Sequence, residues 1–248
     1  MLDRSTFIRP IAHRGLHRTA AGIVENTEPA FAAAIARGYG IECDLQPALG
    51  GEPMVFHDAT LGRLTEVESA ICSLEPAVLK AVAFKATTAR IQTFAEFLEQ
   101  VDGRVPLVVE IKSDTAPEPD VFEARIAALA LAYKGPIALK SFDPYIMIRM
   151  RALAPGIPRG IVSGGWRGPG WHEDELSVFH RFALRHLALA PRIDPSFVSY
   201  DVQALPAVAP WFWRQLGRPL FSWTVRTPQD RVRAERWADA IIFEGFEA

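Results

Sequence analysis

A chain of 248 residues with 49% apolar, 10% aromatic and 23% charged residues can bury a sizeable core, and its length suits one large α/β domain or two small ones. Its 27 Lys and Arg against 29 Asp and Glu leave a formal charge of −2, so no basic field favours nucleic acid or an anionic membrane surface. The longest apolar run, Ile126 to Tyr133, has eight residues, against about 20 for a membrane-spanning helix.

In chain order, short β-branched or apolar runs alternate with longer segments of helical period. Strands are expected at 7–13, 39–45, 105–111, 136–140, 159–163, 197–201, 219–225 and 240–244. Helices are expected at 27–37, 93–101, 118–133, 144–154, 173–189 and 227–237. Several strands begin just after Gly or Pro, as at Gly38, Gly135-Pro136 and Gly217-Arg-Pro219, which is helix-stop chemistry. Thr93 and Thr227 suit N-caps, and Pro228 fits a first helical position. Eight strands with intervening helices in about 250 residues match an α/β fold of the (β/α)8 TIM-barrel type. An open doubly wound sheet alternates in the same way, but Gly164-Gly165 leads into Trp-Arg-Gly-Pro-Gly and not into a helix. The expected organisation is a single TIM-barrel domain over 1–248, with an inserted hairpin and lid-like segment at about 46–90 after the second strand. The first ten residues carry no apolar stretch ahead of their polar ones, unlike a secretory signal. Cys43 and Cys72 cannot make a disulfide framework, so a cytoplasmic protein is expected.

Catalytic groups of such barrels sit at the carboxyl ends of strands. The polar residues there are His13-Arg14, Glu42-x-Asp44, Glu110-x-Lys112, Lys140-Ser141, Asp201, Trp223 and Glu244. Alternation along a strand points Glu42 and Asp44 the same way and turns Cys43 under the helices. Like charges near 6 Å repel by about 3 kcal/mol at an effective dielectric of 20, so three converging carboxylates call for a cation or for Arg and Lys partners. All-oxygen ligands suit magnesium, calcium or manganese. A second cluster, Val55-Phe-His57-Asp58, follows the Gly50-Gly51-Glu-Pro turn. A hairpin over 45–57 would fold His57 back over the mouth beside Glu42 and Asp44. Two imidazoles are what acid–base cleavage of a phosphoester needs, one taking a proton as the other delivers one.

Several motifs taken together are specific. His13-Arg14-Gly15, Glu25-Asn26-Thr27 with Ala30-Phe31, Glu42-x-Asp44, and His57-Asp58 with Leu61-x-Arg63-x-Thr65 resemble the glycerophosphodiester phosphodiesterase family in order and spacing. Glu110-Ile-Lys112, Ser141-Phe142 and Trp223-Thr-Val225 extend the resemblance over nearly the whole chain. The resemblance implies hydrolysis of glycerophosphodiesters, small-molecule substrates, to glycerol 3-phosphate and an alcohol. It implies one divalent metal ion, magnesium or calcium with manganese as a third choice, held by Glu42, Asp44 and Glu110. His13 and His57 are then general acid and base, Arg14 and Lys112 grip phosphate, and Glu25 and Asn26 support the first loop. Capping of the following helix is the other reading of Asn26 and Thr27, with Glu28 facing the positive helix end. Trp223 either walls the pocket or packs in the core. The loop from Trp166 to Trp171 and the segment 64–90 are candidate covers over the entrance, and they would decide between a small alcohol and an acyl chain. His17 is close enough to reach the mouth, whereas His172, His180 and His186 read as solvated. Three positions depart from the family pattern: the Ala48-Leu-Gly-Gly-Glu-Pro53 turn, Lys140 where Gln is common, and Glu244 where the last strand tends to end in Thr-Asp. A lysophospholipase D-like hydrolase of lysolipids and a non-catalytic phosphate-ligand barrel stay open as alternatives.

Overall fold

Short strands that alternate apolar with charged residues close into a parallel barrel in the structure, a computed structural model that describes residues 1–113, 119–166 and 177–248. The strands are β1 (Ile11–Ala12), β2 (Gly40–Pro47), β3 (Pro53–Val55), β4 (Leu107–Ile111), β5 (Ile137–Ser141), β6 (Arg159–Ser163), β7 (Phe197–Asp201), β8 (Leu220–Val225) and β9 (Ala240–Phe243). β1 pairs in parallel with both β9 and β2, which closes the ring, while β3 pairs antiparallel with β2. Leaving β3 aside, eight parallel strands form a TIM barrel. Around it run α1 (Arg4–Phe7), α2 (Glu28–Ala36), α3 (Pro76–Ala81), α4 (Phe94–Val101), α5 (Pro119–Ala132), α6 (Pro144–Leu153), α7 (Val178–Arg185), α8 (Ala190–Ile193), α9 (Val208–Gln215) and α10 (Pro228–Trp237).

Period-two alternation sorts the strand residues into two layers. Cys43, Leu45, Val109, Ile111, Leu139 and Val198 pack outward against the helices, together with Phe97, Phe122 and Met147. Ile11, Val108, Ala138, Phe197, Phe221 and Ile242 form a separate apolar floor inside the barrel, which Leu2 and Phe7 seal from below. Gly160 belongs to that floor without a side chain, because a Cβ there would lie 2.4 Å from the Phe197 ring. Two residues further along the same strands stand His13, Glu110, Lys140, Trp223 and Glu244. One step of the pleat therefore separates an oily floor from a charged mouth, and the floor keeps the charges at one end.

The strand expected at 7–13 is shorter than its apolar content suggests. Asp3 accepts from the Ser5 backbone at 3.0 Å and caps α1 over Arg4–Phe7, and Pro10 has no N–H to give a ladder. Helix α9 lies between the strands expected at 197–201 and 219–225. Its Pro210 sits in the first turn, where its missing N–H costs nothing. The N-caps at Thr93 and Thr227 form full capping boxes with Glu96 and Asp230. At α2 neither Asn26 nor Thr27 caps by side chain; Thr27 Oγ1 donates to the Val24 carbonyl at 2.6 Å instead. The start of the expected helix at 118–133, the first four residues of 173–189, His172 and most of the Trp166-to-Trp171 loop lie outside the described residues.

β2 outruns its neighbours. Ile41–Leu45 pair with β4, and Leu45–Pro47 then turn back with β3 through a bend in which Gly50 and Gly51 take φ of 75° and 76°, a region that favours glycine. Beyond this hairpin Met54, Phe56, Leu61, Ile71, Leu79, Phe84 and Ile91 form a small core of their own, which stands beside the mouth.

Candidate active site

Three carboxylates meet inside the mouth because β2 and β4 are in register: Asp44 stands opposite Glu110, and Glu42 is one inward position below Asp44. Ligand oxygens of Glu42, Asp44 and Glu110 all lie within 4.8 Å of one another, and the three residues are 0%, 1% and 4% exposed. Buried carboxylates this close need compensation. Lys112 Nζ lies 2.9 Å from Asp44 Oδ1 and also bonds Glu110. Lys140 Nζ lies 3.0 Å from Glu42 Oε1 and 2.9 Å from Glu110 Oε2. Arg14 Nε is 3.3 Å from Asp44 Oδ2.

Burial alone would raise the Asp44 carboxyl, but Lys112, His57 and Arg14 hold it well below the usual carboxylate range. Burial likewise opposes ionisation of Glu110, and Lys112 with Lys140 brings it down to about 2. Both acids are thus ionised at neutral pH. Cys43, between Glu42 and Asp44 but facing the helices, has its thiol pushed well up by burial and the flanking carboxylates, so it is an inert core residue.

The first loop is shaped to deliver Arg14. Arg14 and Gly15 both take positive φ, 56° and 79°, and a Cβ on Gly15 would lie 2.9 Å from the Ala30 backbone. Any other residue at 15 would push the loop off α2. The turn aims the Arg14 N–H at Glu42 Oε2, 3.1 Å away, and its guanidinium at Glu25 Oε1, 2.7 Å away. Asn26 also sits in the left-handed region, at φ 53°, and donates from Nδ2 to Asp44 Oδ2 at 2.9 Å. Asn26 therefore holds a carboxylate and does not cap the helix.

Each imidazole is tethered at Nδ1 by an acid. His13 Nδ1 is 2.7 Å from Glu244 Oε2, and His57 Nδ1 is 2.6 Å from Asp58 Oδ1. Burial raises both acids, but the His13 and Arg226 contacts lower Glu244 strongly and the His57 and Arg63 contacts bring Asp58 down to about 2. An ionised carboxylate only accepts, so Nδ1 carries the hydrogen and Nε2 is left as the proton-exchanging atom. For His13 that atom faces the trio, 3.9 Å from Glu42 Oε2. Gln46, the next inward residue of β2 after Asp44, donates to the His57 carbonyl at 2.9 Å and ties the hairpin to the trio. Arg63 joins the two sides, bonding Asp58 Oδ2 at 2.5 Å and Glu25 Oε1 at 2.7 Å.

Trp223 brings an aromatic ring to the same end of the barrel. Its ring meets Phe142 edge-on at 5.2 Å, and Phe142 meets Trp166 edge-on at 6.1 Å, so an aromatic wall flanks the mouth. His17 is half-buried beside Glu244 and Glu25, and burial lowers its pKa. Glu244, Asp58, Arg63 and Lys140 have no assigned role in the sequence reading. Strand-end position marks Glu244 and Lys140 as candidates, but their partners lie on other strands.

Residues 13–245 match the Glycerophosphoryl diester phosphodiesterase family. The chain is 28% identical over 242 residues, 94% of this chain and 92% of the relative, to a glycerophosphodiester phosphodiesterase of Caldanaerobacter subterraneus subsp. tengcongensis. Its fold is similar to that of an Oleispira antarctica phosphodiesterase solved with the product sn-glycerol-3-phosphate, at 20% identity, coverage of 95% and 92%, and a TM-score of 0.76. The glycerophosphodiester phosphodiesterase of Thermotoga maritima is similar at 23% identity, coverage of 95% and 93%, and a TM-score of 0.70.

Proposed function

The chain belongs to the glycerophosphoryl diester phosphodiesterase family, and on that premise we propose that it hydrolyses glycerophosphodiesters to glycerol 3-phosphate and an alcohol, with His13 and His57 as the proton-transfer pair. The observation that carries this reading is that both imidazoles are fixed through Nδ1 by ionised acids, at 2.7 Å and 2.6 Å, around one buried carboxylate trio. One imidazole deprotonates the attacking hydroxyl, of water or of the glycerol moiety itself, and the other protonates the leaving alcohol. Arg14 and Lys112 are the cations assigned to the phosphate. Their side chains are 17% and 14% exposed, against 3% for Lys140, so they are the two that reach an incoming anion. Glu25 and Asn26 support them, and Trp223 lines the flank.

The trio suits one divalent ion. All donors are carboxylate oxygens, and they are close enough to share an ion. Hard oxygen donors favour magnesium or calcium, with manganese also accepted. Bound there, the ion would supply charge neutralisation and polarisation of the phosphate. Free Cys43 and Cys72 fit a reducing compartment, and we assign the protein to the cytoplasm. No helix among the described residues is long and apolar enough to cross a membrane.

A second reading has support from α7, where Val178, Phe179 and Phe182 are 74%, 75% and 60% exposed on the helix that follows β6. Such a face suits an acyl chain, as in hydrolysis of lysolipids. Incubating the purified chain with Mg2+ and glycerophosphocholine, glycerophosphoethanolamine or lysophosphatidylcholine separates the readings. Release of glycerol 3-phosphate supports the first, and release of lysophosphatidate alone supports the second. Saturable binding of glycerophosphocholine without turnover of any substrate would leave a binding barrel and overturn both.

A further inference from the structure

Lys140 is the least exposed cation of the site, with 3% of its side chain open to solvent, and its ammonium sits 3.0 Å from Glu42 and 2.9 Å from Glu110. Register fixes it there, because Lys140 stands directly opposite Glu110 across β4 and β5. The apolar floor just below, with Ala138 and Val108, leaves the ammonium no path to water on that side. Lys112 and Arg14 differ from it in exposure, with 14% and 17% of their side chains open to solvent. Two of the three carboxylates assigned to the metal therefore carry a buried cation. An ion taking oxygens from Glu42 and Glu110 must share them with this ammonium, and like charges held on the same carboxylates repel strongly away from water.

We propose that Lys140 sets the affinity of the carboxylate trio for its divalent ion, competing for Glu42 and Glu110 so that the ion is held weakly and exchanges readily. The inference rests on the reading of Glu42, Asp44 and Glu110 as the metal site. Around the trio, three carboxylates face Arg14, Lys112 and Lys140, and the charges balance.

The test is direct titration with Mn2+, followed by loss of the free-ion paramagnetic resonance signal, on the unaltered chain and on four variants whose folding is first checked by circular dichroism. Lys140→Met removes the charge at similar volume, Lys140→Gln removes it with a polar end, Lys140→Arg keeps it, and Glu110→Gln removes a ligand. The expected result is at least about tenfold tighter Mn2+ binding, or about 1.4 kcal/mol, in whichever neutral variant folds, with Lys140→Arg close to the unaltered chain. Mn2+ should also raise the melting temperature of the neutral variant more than that of the unaltered chain. Glu110→Gln should lose binding. Unchanged or weaker binding in the neutral variants, with binding still lost in Glu110→Gln, overturns the role of Lys140 and leaves the metal site standing. Undiminished binding in Glu110→Gln overturns the site itself and the inference with it.

Discussion

His13 on the first barrel strand's end and Glu244 on the last are joined by a 2.7 Å contact from Nδ1 to Oε2, across the seam where β1 and β9 close the ring. Arg226 holds the same Glu244 oxygen at 3.0 Å, so the carboxylate is fixed from both sides. Glu244 is a positioning residue: it fixes the ring and tautomer of His13 through Nδ1. Glu244→Ala should lower kcat by more than about tenfold, yet by less than the 10²–10⁴-fold expected for losing the imidazole. KM should stay within a factor of about two. Glu244→Gln, which still accepts from Nδ1–H, should recover part of the loss. A change in KM alone, with kcat intact, would show that Glu244 does not orient the His13 imidazole.

The two imidazoles are assigned complementary proton transfers, so neither can substitute for the other. His13→Ala and His57→Ala should each lower kcat by about 10²–10⁴-fold with the circular dichroism spectrum unchanged. Asp58→Asn should reduce kcat less, because its amide oxygen can still accept from Nδ1–H and Gln46 also holds the hairpin at the His57 carbonyl. Near-native turnover in either alanine variant would remove that imidazole from the reaction.

Asp239 gives a pH-dependent test of the scaffold remote from the mouth. It accepts from the Leu220 backbone at 2.8 Å and from Arg214 at 3.0 Å and 3.2 Å, and it pairs with Arg4 at 3.0 Å. Burial opposes its ionisation, but the Leu220 N–H and the Arg214 guanidinium win and lower its pKa below 3.8. A carboxyl depressed on folding adds stability above its unfolded pKa, and that stability is lost as pH falls through the folded value. Asp239→Asn should cost about 1–3 kcal/mol at pH 7. The gap between variant and unaltered chain in urea unfolding should close as pH drops from 5 to below 3. A gap that persists at the acid end would mean that packing, and not charge, is what the residue contributes.

Much of this site is legible in the sequence, for a local reason. Glu42 with Asp44 and Glu110 with Lys112 are two apart on strands, so alternation alone puts each pair on one face, and strand ends face the mouth in a TIM barrel. The tether of His13 is different: its acid lies 231 positions away, and no period or spacing links them. Lys140 reads as readily as a surface lysine, because only register with Glu110 turns it inward. For Asn26 the sequence leaves two readings, support of the loop or capping of the helix. Its position suits an N-cap, yet the buried Asp44 carboxylate outbids the helix end for its amide. The first strand is overlong in a reading by apolar content, since Phe7 and Ile11 both belong to the barrel floor although one is helical and the other extended. Burial decided those residues, and secondary structure followed from Asp3 and Pro10.

The most direct measurement is release of glycerol 3-phosphate from glycerophosphocholine by the purified chain, with Mg2+ and then with EDTA in excess. Turnover that EDTA abolishes and fresh divalent ion restores is the expected result, since buried Glu42, Asp44 and Glu110 converge within 4.8 Å of one another beside His13. Equal turnover in both conditions would contradict an ion held by that trio, and no turnover in either would contradict the hydrolase itself.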